Sequence, residues 1–348
     1  MEQNHISKKK IHYTISNELF SYLQKYDRVN PIPLRYPDLL RFSGSMPVLD
    51  KNGKDTLWES VVYPPSEHRE VVQHLTEIYA LLKTSGDTHA IEHLTVERID
   101  YCSFGNSKPF RIKIINKFND NHDYFYFKIP DASRVYGLEI EHILSPNRIN
   151  YFVDKFSLIE EHIVGIPGDV FLSRMTMNKF NEIRIAKEFV KFNERCLVRL
   201  LGDMRAYNFV IDKTEDFDDT QYRIRAIDFD QQCYEGRKSI YLPQYFKENN
   251  PYVEFAMKYF NTEVVNQYQQ EERSLIARRV KTSRYRLTDL VNVMQHDEIS
   301  PFAKVKSLRD DLAKHYNDDV FKGCATMGAL LKQSLLHTLD RSDRNLLG

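Results

Sequence analysis

Residues 95–130, TVERIDYCSFGNSKPFRIKIINKFNDNHDYFYFKIP, constrain the fold more than any other stretch. The stretch reads as three short strands. Turn chemistry separates them, Gly105-Asn106 in the first gap and Asn119-Asp120-Asn121 in the second, so the strands are expected to pair antiparallel. The flanks have a different texture. Ser66 is a candidate N-cap for a helix over 66–84, with Val71, Leu75, Ile78, Tyr79 and Leu82 at helical spacing and Gly86 just beyond its end. A second helix is expected from Ser133 to about Leu144, and strands near RINYFVD and FSLIEEHIV. A strong helix follows from about Phe180 to Leu200, carrying Ile183, Ala186, Phe189, Val190 and Leu197 on or near one face. AYNFVID and YRIRAIDFD read as a strand pair, and from about residue 251 the chain reads as helical. Residues 1–65 are punctuated by prolines, and only NELFSYLQKY reads there as helix. Strands, one helix, strands, then helices make an α+β chain of two lobes, because alternating βα units are absent. The expected division is an N-terminal extension over 1–90, a strand-rich lobe with its linker over 91–163, and a helical lobe over 164–348.

Composition narrows the function classes. Lys plus Arg equals Asp plus Glu, 49 each, so no global field draws the chain to nucleic acid or to a membrane, and any electrostatic site has to be local. No apolar run approaches the ~20 residues of a membrane span, and MEQNHISKKKIHYTIS lacks the apolar core of a signal peptide. Cys102, Cys196, Cys233 and Cys324 are far apart and form no C-x-x-C, which points to a reducing cytoplasm and away from structural zinc or disulfides. The histidines show no metal-binding spacing. One basic run, RRVKTSRYR over 278–286, suits nucleic acid or an acidic protein in principle. Its acidic flanks favour a solvated helix face, and no nucleic-acid partner is expected.

The chemistry sits in LLGDMRAYNFVID, residues 200–212. Asp203 is followed five residues later by Asn208, which opens an apolar run, and RIRAIDFD then brings Asp228 to a strand end. Mg²⁺ takes hard oxygen donors such as Asp and Asn. Phosphoryl transfer needs the metal, a held nucleotide and a carboxylate that orients the attacking hydroxyl. GDMRAYNFVI followed by RAIDFD resembles the catalytic and metal-binding segments of the protein-kinase-like superfamily, which includes the aminoglycoside and choline phosphotransferases. The resemblance implies Asp203 as catalytic aspartate, Asn208 and Asp228 as Mg²⁺ ligands with Asp230 as a further metal contact, and Arg205 beside the transferred phosphate. Upstream, FYFKIPD puts Lys128 on a strand before a helix with Glu139 and Glu141, which lie about 200° apart on the helix. The resemblance implies that one of them, Glu139 by preference, pairs with Lys128 on the nucleotide phosphates. SLIEEHIVGIPGDVFL resembles the interlobe linker, with backbone groups of Glu161, His162 and Ile163 meeting adenine. Gly105 is the one glycine available for a phosphate-covering loop.

Departures steer the reading within the superfamily. Leu201 stands where a histidine is usual, no G-x-G-x-x-G loop exists, Asp230 replaces the D-F-G glycine and no A-P-E follows. These favour an ATP- and Mg²⁺-dependent phosphotransferase acting on a hydroxyl of an unidentified, small-molecule acceptor. An atypical protein kinase, a nucleotidyl-transferring enzyme and a non-catalytic kinase-like module remain alternatives. Oligomeric state is left open.

Overall fold

A computed structural model describes residues 10–50, 52–84, 92–119, 121–174, 180–216, 219–339, 343 and 347. Gly86 and Asp120 of the sequence expectations lie outside them. The fold is mixed α+β and divides into two compact units, residues 1–131 with 149–162, and residues 132–148 with 163–348.

The first unit is built on a seven-stranded antiparallel sheet. Its strands are β1 (Gly44–Leu49), β2 (Asp55–Val62), β3 (Leu94–Tyr101), β4 (Phe110–Asn116), β5 (His122–Lys128), β6 (Tyr151–Val153) and β7 (Leu158–Glu161), in the order β1-β2-β3-β4-β5-β7-β6. Phe110, Ile112 and Ile114 of β4 and Phe125 and Phe127 of β5 are buried in one core with Val71, Leu75 and Ile78 from helix α3 (Pro65–Thr84). Each such side chain contributes roughly 1.5–3 kcal/mol when buried. Helix α3 starts one residue earlier than expected. Pro65 takes the first helical position, where its missing N–H costs nothing, and Ser66 is inside the first turn rather than at the cap. Helices α1 (Asn17–Lys25) and α2 (Tyr36–Leu39) complete the unit. The β1–β2 hairpin and α3 belong to this unit and share its sheet and core. A break at residue 90 would therefore fall inside a compact body, because the hairpin joins β3 through the pairs Glu59↔Tyr101 and Ser60↔Asp100.

The second unit begins with helix α4 (Ala132–Leu144) and resumes at Ile163. It holds a small three-stranded sheet, β8 (Ile166–Pro167), β9 (Phe209–Asp216) and β10 (Asp219–Ala226), in the order β10-β9-β8. The remaining elements are helical: α5 (Gly168–Arg174), α6 (Glu182–Arg199), α7 (Asn250–Tyr259), α8 (Thr262–Thr282), α9 (Arg284–His296), α10 (Phe302–Tyr316) and α11 (Met327–Leu336). Helix α6 is capped by the Asn181 side chain, which accepts from Arg184 N, and it stops at Leu200 in a left-handed conformation. No helix among the described residues is long and apolar enough to cross a membrane.

Helix α4 is fastened within this unit by two ion pairs. Arg286 of α9 donates to Glu139 at 2.6 Å, and Arg199 at the end of α6 lies 2.5 Å from Glu141. Its Gly137 lies against the turn after β10, where a Cβ would sit 2.9 Å from Phe229 Cβ and 3.1 Å from Gln232 Cβ. Gly137→Val is therefore expected to destabilise the chain by about 1–3 kcal/mol through overpacking. Thermal unfolding checks it, and an unchanged midpoint would mean the turn can retreat.

Candidate active site

In the second unit, the chain from 200 to 208 is stitched to the chain from 227 to 233. Cys233 N donates to Leu200 O at 2.8 Å, Gly202 N to Gln231 O at 3.2 Å, and Ile227 N to Asn208 O at 3.0 Å. Leu201 and Gln232 form an isolated bridge, and the Gln232 side chain donates to Arg199 O at 2.6 Å. The two segments that hold Asp203, Asn208 and Asp228 thus form one bonded loop pair.

Asp203 itself is in the left-handed region, φ 59°. Its N–H donates to Ile240 O at 3.0 Å, and its carbonyl accepts from Arg205 N at 2.9 Å and from the Asn208 amide at 2.7 Å. The D-x-x-x-x-N spacing is thereby explained locally: the asparagine nitrogen closes the loop and its side-chain oxygen is left over for a ligand. Arg205 Nε donates to Asp203 Oδ1 at 2.9 Å, its Nη1 donates to Glu248 at 2.8 Å, and the guanidinium lies 4.8 Å from the Phe246 ring centroid. Burial pushes the Asp203 carboxyl above the ordinary aspartate value. Arg205 opposes that, while Asp228 and Glu248 add to it. Carboxylates perturbed in this way cluster at functional sites and also occur in structural ion-pair networks.

Asp228 and Asp230 share a partner that the sequence reasoning missed. Arg134, in the first turn of α4, donates through Nη1 to Asp228 Oδ1 and to Asp230 Oδ1, both at 2.8 Å. Asp230 N also donates to Asp228 Oδ1 at 3.1 Å. The Phe229 side chain between them is buried. Among the described residues no cluster of three or more His, Cys, Asp or Glu side chains is arranged to hold a metal. Magnesium asks for less: one or two protein oxygens suffice when phosphate and water complete its octahedron. The Asp228 carboxylate and the Asn208 side-chain oxygen suit that requirement.

The other sequence candidates lie in the first unit. Lys128 ends β5, and its Nζ donates to Glu160 of β7 at 2.7 Å, with both side chains buried. The register explains the pair: Tyr126 faces Glu160 and Lys128 faces Leu158, so Lys128 and Glu160 are diagonal neighbours on one face. The expected partner was Glu139. Glu139 belongs to the second unit, where it is paired with Arg286, and the alternative, Glu141, is paired with Arg199. The ion pair described for Lys128 is the one with Glu160, which was not a sequence candidate. Glu161 N donates to Asn150 O at 3.0 Å and His162 N to Tyr124 O at 3.3 Å, so strand pairing uses two of the backbone groups in the stretch that was expected to meet adenine. The His162 ring hydrogen-bonds Tyr126 at 3.2 Å, and burial lowers its pKa. Ile163 is buried at the start of the second unit's long segment. Gly105 sits in a tight turn whose Lys108 N donates to Gly105 O at 3.1 Å. A Cβ there would lie 2.9 Å from Pro109 Cδ, so the glycine is required by the turn itself.

Three of the five basic residues of the run 278–286 are engaged inside their own unit. Arg279 donates to Ser145 O, Lys281 to Asp343 and Arg286 to Glu139, each at 2.6 Å.

No protein-family model matches this sequence, and neither does any curated protein. Among solved structures, the chain is similar to the autoinhibited serine kinase domain of the giant muscle protein titin, at 12% identity over 70% of this chain and 92% of that one, with a TM-score of 0.30. No residue correspondence follows from a likeness that loose.

Proposed function

We propose that the chain is a protein-kinase-like phosphotransferase that moves the γ-phosphoryl group of ATP to a hydroxyl of a small-molecule acceptor. The observation that carries the reading is the loop pair of the second unit, in which backbone hydrogen bonds hold Asp203, Asn208 and Asp228 on two adjoining segments. Asp203 orients the acceptor hydroxyl and takes its proton as the oxygen bonds to the γ-phosphorus. The bond from that phosphorus to the bridging oxygen breaks, and ADP departs with the electron pair. Arg205, whose guanidinium already bridges Asp203 and Glu248, supplies positive charge beside the transferred group. Asp228 and Asn208 would hold Mg²⁺, which neutralises phosphate charge when bound. By the sequence resemblance, Lys128 and those backbone groups of Glu161–Ile163 that strand pairing does not use would be nucleotide contacts. A phosphate-bound Lys128 would keep Glu160 as its counter-ion.

Thermal unfolding with and without saturating Mg²⁺-ATP tests the reading. A ligand at a hundred times its Kd stabilises by about 2.7 kcal/mol, a shift of a few degrees for a chain of this size. The wild type is expected to show that shift only with the metal present, and Asp228→Asn to lose it. A well-folded wild type that no nucleotide shifts would leave a non-catalytic module as the better reading.

A further inference from the structure

We propose that Arg134 is the positioning residue for Asp228 and that Asp230 anchors Arg134 instead of ligating the metal. This rests on the phosphotransferase reading above. A single guanidinium nitrogen, Nη1, donates to Oδ1 of both aspartates at 2.8 Å. The same Oδ1 of Asp228 also accepts from Asp230 N at 3.1 Å. That oxygen is therefore oriented by two donors, one of them from Arg134. Exposure runs in the matching order. The side chains of Arg134, Asp230 and Asp228 are 3%, 12% and 35% exposed, so Asp228 is the outward member and Asp230 lies behind it.

The arrangement is held from outside. Arg134 is on α4, which Glu139–Arg286 and Glu141–Arg199 fasten to α9 and α6. Ser133, the residue before it, donates to Asp230 O at 3.3 Å and to Gln232 O at 2.6 Å. Groups of this kind orient a metal ligand without touching the metal, and losing one typically weakens binding by roughly 10–100-fold. Magnesium held by one or two protein oxygens is completed by substrate phosphates and water, so the cation is taken together with the nucleotide phosphates.

Manganese binding to the full chain, followed by electron paramagnetic resonance with and without a non-hydrolysable ATP analogue, tests this. Wild type is expected to bind Mn²⁺ weakly alone and tightly with the analogue. Asp228→Asn is expected to lose the analogue-dependent binding. Asp230→Asn and Arg134→Gln should each weaken it by roughly 10–100-fold, and the double variant should be no weaker than the weaker single one. Losses that multiply in the double variant, or an Asp230→Asn loss as complete as that of Asp228→Asn, would make Asp230 a ligand and overturn the assignment while leaving the phosphotransferase reading intact. A wild type that binds no manganese-nucleotide overturns both. Should Arg134→Gln not fold, the contrast between Asp228→Asn and Asp230→Asn decides alone.

Discussion

Asp203→Asn is expected to lower ADP release over a panel of hydroxyl compounds by about 10²–10⁴-fold, the usual contribution of a positioned general base, while the Mg²⁺-ATP thermal shift stays at its wild-type size. The separation follows from what holds the loop. Asp203 is fixed through its backbone, by Ile240 O, Arg205 N and the Asn208 amide, and none of these bonds involves the carboxylate. Asparagine also tolerates the left-handed φ of 59° at this position. The variant keeps its shape and loses the acceptor for the hydroxyl proton. Its stability carries a sign that checks the electrostatics. Burial, with Asp228 and Glu248, raises the folded-state pKa of Asp203 above its ordinary value despite Arg205. The folded chain therefore holds that proton more tightly than the unfolded one, and the Asp203 contribution to stability declines as pH rises through the shifted value. The asparagine variant should accordingly unfold no earlier than wild type at pH 7, and the comparison should turn toward wild type in acid. The acid limb of the wild-type rate should lie above the ~3.9 of an ordinary aspartate. Parallel loss of nucleotide binding and turnover in Asp203→Asn would mean the residue builds the loop and is no base.

How far the sequence could be read depends on where each signal is encoded. Strands β3 to β5 were legible because one face is buried, so the alternation of Phe110, Ile112 and Ile114 is written into the chain. Helix α6 was legible for the same reason at helical period. Strand β1 was not: five of its six residues are exposed, which erases alternation. Its Pro47 reads as a breaker, yet proline is tolerated on an edge strand such as this one. The loop pair was legible because Asp203 and Asn208 are five residues apart and act locally. The charge partners were not. Lys128 meets Glu160 through strand register, Arg134 meets Asp228 across 94 residues, and Arg286 meets Glu139 across 147. A sequence shows which charges exist, whereas the packing of α4 decides which of them face one another.

The ion pair that seats α4 sets the largest stability effect. Arg199→Met is expected to destabilise the chain by about 3–5 kcal/mol at pH 7, the usual cost of stranding one member of a buried pair. Both members are buried, with Arg199 Nη2 2.5 Å from Glu141 Oε2, and methionine fills much of the same space without charge. In wild type, burial works to raise the Glu141 carboxyl. Arg199 and Ser145, with Arg195, overcome it and hold the pKa below the ordinary value. That stability is present above the unfolded pKa and fades as pH falls through the folded one. In Arg199→Met only Ser145 and Arg195 still oppose burial. With the largest opposing charge gone, the folded pKa is expected to rise above the unfolded one and the sign to reverse, so that the variant gains stability as pH falls from 7 toward 5. Urea unfolding at the two pH values reads the reversal directly. Because a buried pair stabilises little over an apolar replacement, Arg199→Met/Glu141→Leu should recover most of the loss at pH 7. A double variant as unstable as the single one would mean that shape, not the stranded carboxylate, governs the seat of α4. Recovery with a weakened Mg²⁺-ATP shift would mean instead that the ion pair is kept for the aim of Arg134, two turns earlier on the same helix, at Asp228.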